Sequence, residues 1–186
     1  AAPTLFYDFD QVLFDDTASG TTSVALTNTV QPDAVFFNNT TKAYTLSGSG
    51  KITGFNVSLT KNGTNSVTIN TTNDYANGTY VLGGRLIIPN DLSAGASAPL
   101  GIVPAVPTPS NIVLNGGGIR AIVDLTLHAN RGIFLGTNGG FIIPGSGNFF
   151  IDGIIAGQST SATLTVSDGG SGNYVPNMLS TYGGNT

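Results

Sequence analysis

The chain has 186 residues, a formal net charge of −4, no cysteine, and 9% charged residues against roughly 25% in ordinary soluble domains. The six basic residues, Lys42, Lys51, Lys61, Arg85, Arg120 and Arg131, are scattered, which argues against nucleic acid as a partner because affinity for a phosphate backbone comes from clustered cations. Without cysteine there are no disulfides or thiolate metal sites, and no apolar run approaches the ~18 residues that a membrane-spanning helix needs, so no membrane insertion is expected.

All ten acidic residues are Asp and only three Lys are present, so the favoured residues of exposed helices are nearly absent. Strand and turn are the expectation, in a single all-β domain. The opening Ala1-Ala2-Pro3-Thr4 resembles the new end left by cleavage after small residues, which predicts export. Residues 5–16, LFYDFDQVLFDD, set large apolar side chains among four aspartates. Residues 1–21 are therefore predicted to be an N-terminal cap, since repeat stacks need an atypical terminal unit.

From Thr22 to Thr186 short alternating runs (SVALT, AVFF, AYTL, VSLT, SVTIN, TYVL, RLII) recur at intervals of roughly 8–13 residues, each followed by Gly, Asn or Asp. Two architectures share that rhythm. A β-sandwich would use the turns as hairpins, and a parallel β-helix (β-solenoid) would use them as corners of rungs about 20 residues long. The second is favoured by a short internal repeat, Tyr75-Ala76-Asn77-Gly78-Thr79 against Tyr182-Gly183-Gly184-Asn185-Thr186, and by Gly clusters at 83–84, 116–118, 139–140 and 169–170. Glycine is expected there because sharp corners need positive φ. Residues 89–111, with five prolines, cannot supply a central strand and are predicted to form a long loop leaving the body.

In order along the chain stand Gly50-Lys51-Ile52-Thr53-Gly54, Leu59-Thr60-Lys61-Asn62-Gly63-Thr64, Asn73-Asp74-Tyr75-Ala76-Asn77-Gly78-Thr79 and Gly83-Gly84-Arg85-Leu86, then Val113-Leu114-Asn115-Gly116-Gly117, Asn130-Arg131-Gly132-Ile133 and Gly139-Gly140. Residues 42–186 thereby resemble the autotransporter-associated β-strand repeat. Asn65 and Asn77 stand where that repeat has Gly, and both tolerate left-handed backbone. The resemblance implies a right-handed parallel β-helix, secreted or displayed at a bacterial cell surface, with a structural, adhesive or scaffolding role and no catalytic residues.

Candidate chemistry is sparse. His128 is the only histidine, which excludes a His cluster for metal and any relay needing a second imidazole; alternation against Leu125 and Leu127 predicts that it is exposed. The close carboxylate pairs Asp8/Asp10 and Asp15/Asp16 could serve as an acid–base or calcium couple, but solvated positions or turn caps are the expected use. Asp124 and Asp152 could converge across adjacent rungs. The nearest match to a calcium-binding repeat, Gly169-Gly170-Ser171-Gly172-Asn173-Tyr174, has Tyr in place of the ligating Asp. Sequons at Asn38, Asn39, Asn56, Asn62, Asn70 and Asn77 follow from a composition rich in Asn and Thr.

No catalytic, cofactor or metal residues are therefore assigned, and an enzyme is not expected. The leading expectation is an extracellular structural protein, a stiff rod or fibre subunit. The second copy of the repeat stops at Thr186, where the first runs on into TYVLGGRLII, so the expectation is either that the chain is a fragment or that the next subunit completes the rung and gives a head-to-tail homopolymer. The alternative is an adhesin that binds glycans or a cell surface through the 89–111 loop, and a polysaccharide-degrading enzyme comes third.

Overall fold

A computed structural model describes residues 5–91, 94–158, 162–166 and 174–176, the last three by their backbone only. Every regular element among them is a strand, and every pairing between named strands is parallel. The chain winds through seven coils. The first carries β1 (Gln11–Asp15) and β2 (Ser23–Ala25), the second β3 (Ala34–Asn38) and β4 (Tyr44–Ser47). The third has β5 (Leu59–Lys61) and β6 (Ser66–Ile69), and the fourth β7 (Thr79–Val81) and β8 (Arg85–Ile88). The last three coils add a strand each: β9 (Thr108–Leu114), β10 (Gly118–Ala121) and β11 (Leu125–Leu127), then β12 (Arg131–Leu135), β13 (Gly140–Ile143) and β14 (Phe149–Ile151), then β15 (Ile155–Gly157), β16 (Leu164–Val166) and β17 (Tyr174–Pro176).

These strands stack into three sheets, β1-β3-β5-β7-β9-β12-β15, β2-β4-β6-β8-β10-β13-β16 and β11-β14-β17. The fold is thus the β-solenoid, not the sandwich: a hairpin sandwich would have given antiparallel pairs between consecutive strands. In the early coils the third side is held by isolated backbone bonds, such as the parallel bridge Val30–Ile52 and Ala76 N–H to Gly54 O at 3.1 Å.

The period-two alternation is what makes the core. Alternate positions of each short strand point in and the others out, because successive side chains leave a strand on opposite faces. One inward file of the first sheet runs Val35, Leu59, Thr79, Ile112, Ile133 and Ile155, and one of the second runs Tyr44, Val67, Leu86, Ile119 and Ile142, all buried. Each residue stacks on its counterpart one rung away and faces the inward files of the other sides of the coil in one shared core, so no helix is needed to cover it.

Steps along that first file (Val12 to Val35 and so on to Ile155) are 23, 24, 20, 33, 21 and 22 residues. The rung of about 20 residues therefore holds, except where the fourth coil absorbs the proline-rich segment. At the corners between the first two sheets, one glycine of each described cluster takes positive φ: Gly84 (59°), Gly116 (97°) and Gly139 (64°).

Several expectations change here. The left-handed residue near the Asn77 corner is Gly78 (φ 83°), while neither Asn65 nor Asn77 has positive φ, so those asparagines do not stand in for glycine by left-handed backbone. Regular coil structure starts before Thr22, since β1 pairs in register with β3 from Gln11–Ala34 to Asp15–Asn38. Nor does the 89–111 segment leave the body. Ala98, Leu100 and Val103 are fully buried within it, and its last residues open β9, in the middle of the first sheet. Pro109 is tolerated in β9 because β7 pairs only with Ile112–Leu114, so the proline lies where β9 has a neighbour on one side and the register with β12 shifts. The second copy of the short repeat, 182–186, and Gly169–Asn173 lie outside the described residues.

Candidate functional site

The densest polar cluster joins three consecutive coils at the proline-rich segment. Arg131 starts β12, and the parity that points Ile133 and Leu135 inward points it inward too, leaving its side chain 0% exposed. Its Nε donates to both carboxylate oxygens of Asp91 at 2.9 and 3.0 Å, Nη1 to Leu100 O (3.1 Å) and Asn111 Oδ1 (2.6 Å), and Nη2 to Gly101 O (2.6 Å). Asp91, 1% exposed, also accepts from the His128 backbone N–H. Arg131 thus binds the insert of the fourth coil and the Asn111 strand of the fifth to the sixth.

Neighbouring bonds complete the docking. Asn130 Nδ2 donates to Pro104 O, Asn73 Nδ2 to Pro99 O, and Asn73 and Ala98 exchange backbone bonds at 2.9 Å. Thr79 Oγ1 donates to Leu100 O and shares a 2.8 Å bond with the Tyr75 hydroxyl; burial pushes that phenol up to about 12. With the Arg131 side chain 0% and that of Asp91 1% exposed, the cluster works as a clamp between coils.

Lys61 is the second buried cation. It occupies an inward position between Phe37 and Val81 on adjoining rungs, and its ammonium donates to Gly63 O and, at 3.3 Å, to Gly83 O. Burial lowers its pKa to about 8 from 10.5. Between those values the unfolded chain binds more protons than the folded one, so stability rises with pH across that window. Above pH 10 the raised Tyr75 and Tyr44 work in the opposite direction. Urea unfolding from pH 8 to 10 is expected to show a gain of about 2 kcal/mol in the parent that is absent in Lys61→Met.

The acidic residues singled out from the sequence act as ties and turn caps. Asp8 Oδ1 accepts from Gln31 N–H (2.9 Å) and Asp10 Oδ2 from Tyr7 N–H (2.9 Å), around a turn that puts Phe9 at φ 73°; Asp8 and Asp10 are not a strand pair. Asp15 accepts from Thr17, while Asp16 accepts backbone N–H from Thr40, Thr41 and Lys42 at 2.9–3.0 Å, which hold it down to about 2. Asp124 precedes β11 and accepts from Asn148 N–H, whereas Asp152 follows β14. They sit at opposite ends of the third sheet and do not converge.

His128 is half-buried, and its Nδ1 accepts from Asn130 N–H at 3.1 Å. The expectation of an exposed ring fails because the insert folds back over that side. Asn39 is fully buried and donates to Lys42 O and Ser66 O, so its sequon is closed; the other five sequon asparagines are exposed. Among the described residues no three His, Asp or Glu side chains gather as a metal site would require.

The N-terminal end is the other distinctive place. The outer edges of β1 and β2 have no strand partner among the described residues. Between them opens a cavity of about 200 Å³ lined only by apolar side chains, including Phe6, Val12, Phe14, Leu26, Val30 and Leu46. Phe14 stacks on Phe37 with centroids 4.8 Å apart, and Tyr44 lies against both.

Fold and site together define a parallel β-solenoid with structural polar clamps and an open apolar end. No family model, curated protein or solved structure matches the chain.

Proposed function

We propose that this chain is an extracellular structural protein, a stiff solenoid segment that assembles end to end. The observation that carries this reading is the first coil, where two strand edges without a partner among the described residues flank an apolar cavity. Unpaired edges template further strands, and a cavity lined by Phe14, Val12 and Leu26 has the same character as the interior between any two coils. At the other end β15, β16 and β17 stand last in their sheets among the described residues. A second copy placed with those strands against β1 and β2 continues two sheets in the same sense. Such a contact is heterologous and does not close, so it propagates as a filament.

Chemistry supports a structural role over a catalytic one, because the buried ionic groups are consumed in holding rungs together. The resemblance of residues 42–186 to the autotransporter-associated repeat supports secretion or surface display. Val12→Asp, which puts a carboxylate in the open cavity, is expected to abolish end-to-end growth in sedimentation velocity while leaving the far-UV spectrum unchanged. Equal assembly by the variant would overturn the reading.

A further inference from the structure

The outer face of the first sheet carries a pattern that end-to-end assembly does not use. Its central outward file, read through the pairings, is Leu13, Phe36, Thr60, Tyr80, Val113, Phe134 and Ala156. From β3 to β12 each of these residues is half-exposed between two buried neighbours. Aromatic rings therefore stand on β3, β7 and β12, every second strand, with the smaller Thr60 and Val113 between them. With strands ~4.8 Å apart, successive rings are ~9.6 Å apart along the solenoid axis.

From β3 to β15 this face has no outward charge, since Lys61 and Arg131 both point inward. Alongside the file, two residues beyond Phe36 and Thr60 and just past the paired Phe37 and Lys61, the exposed amides of Asn38 and Asn62 offer donors and acceptors. The face is neutral, ridged by aromatic rings with a two-strand period, and edged with amides.

We propose that this face binds an uncharged, extended β-1,4-linked polysaccharide lying parallel to the solenoid axis. In such a chain alternate sugars present the same face, and its disaccharide unit is close in length to the separation between rings. Phe36, Tyr80 and Phe134 take the apolar C–H faces of alternate sugars against the electron-rich faces of their rings, Thr60 and Val113 leave room for the inverted sugars between, and the amides take hydroxyls at the edge. A charged polymer gains nothing here, and a helical α-linked chain does not match the period.

The test is co-sedimentation of the full chain with microcrystalline cellulose, with chitin and with starch granules, in high salt. Binding to at least one β-1,4 polymer and not to starch is expected. Each of Phe36→Ala, Tyr80→Ala and Phe134→Ala should weaken it about tenfold, with only a modest fall in thermal stability because the side chains are half-exposed on the outer face. Tyr80→Trp should keep binding, which guards against loss by misfolding. The paired change Thr60→Tyr with Tyr80→Thr preserves composition and breaks the period, so it should bind as weakly as Tyr80→Ala. The proposal is overturned if the parent binds neither polymer, if the paired change binds like the parent, or if the triple alanine variant abolishes a concentration-dependent dimer, which would make the face a contact between copies. It stands apart from filament formation: Val12→Asp should leave glycan binding intact.

Discussion

Arg131→Met is expected to cost about 3–5 kcal/mol of stability, because it leaves one member of a buried ion pair behind. The methionine fills part of the volume, so packing is not the main loss. What remains is Asp91, a carboxylate 1% exposed with only the His128 N–H to satisfy it among the described residues, together with the Gly101 carbonyl and the Asn111 amide oxygen without their donor and Leu100 O with Thr79 Oγ1 alone. Denaturant unfolding followed by far-UV circular dichroism measures the effect. Asp91→Asn with Arg131→Met should recover part of it, since the unpaired charge is then gone. Because a solenoid coil contacts little beyond its neighbours, hydrogen exchange should show the loss concentrated in coils four to six.

Replacing residues 94–104 by a Gly-Ser linker of equal length is expected to destabilise at least as much, by about 5 kcal/mol or more. The exchange removes Leu100 and Val103 from the core, where truncation of a leucine alone costs about 2–5 kcal/mol. It also removes the buried side chains that hold the Gly101 and Leu100 carbonyls against Arg131 and the Ala98 backbone against Asn73. An insertion projecting from the body would tolerate the exchange with a change near zero. Thermal unfolding distinguishes the two outcomes, and a neutral result would contradict the buried placement of the insert.

Much of the architecture is legible in the sequence, for a physical reason. A solenoid rung is local: alternation sets which side chains point inward, and glycine marks corners such as Gly83-Gly84 and Gly139-Gly140, so the pattern contains most of the fold without knowledge of distant contacts. Register between rungs then follows from matching inward files. Proline density misled for the opposite reason. It forbids ladder donation at Pro99, Pro104, Pro107 and Pro109, but it says nothing about whether the intervening Leu100 and Val103 are buried, and it does not bar a proline from a strand with only one neighbour.

The two buried cations were within reach of the same rule. In Leu59-Thr60-Lys61 and in Arg131-Gly132-Ile133, the apolar residue two positions away fixes the parity that sends the charge inward. Their partners were not. Asp91, Leu100 and Gly101 lie 30 to 40 residues from Arg131, and only the winding of an insert whose length departs from the other rungs brings them together. The apolar cavity at this end is similarly a property of the stack: Val12 and Phe14 have inward parity like any other rung, and nothing local marks them as lining the end of the described sheets.

Electron microscopy of concentrated protein with fibre diffraction tests end-to-end assembly most directly. The account predicts unbranched filaments whose meridional spacing is ~4.8 Å, from strands stacked along the fibre axis, with an axial subunit repeat of about 34 Å for seven rungs, and their absence in Val12→Asp. Isolated, monomeric particles at every concentration, with no such reflection, would contradict it.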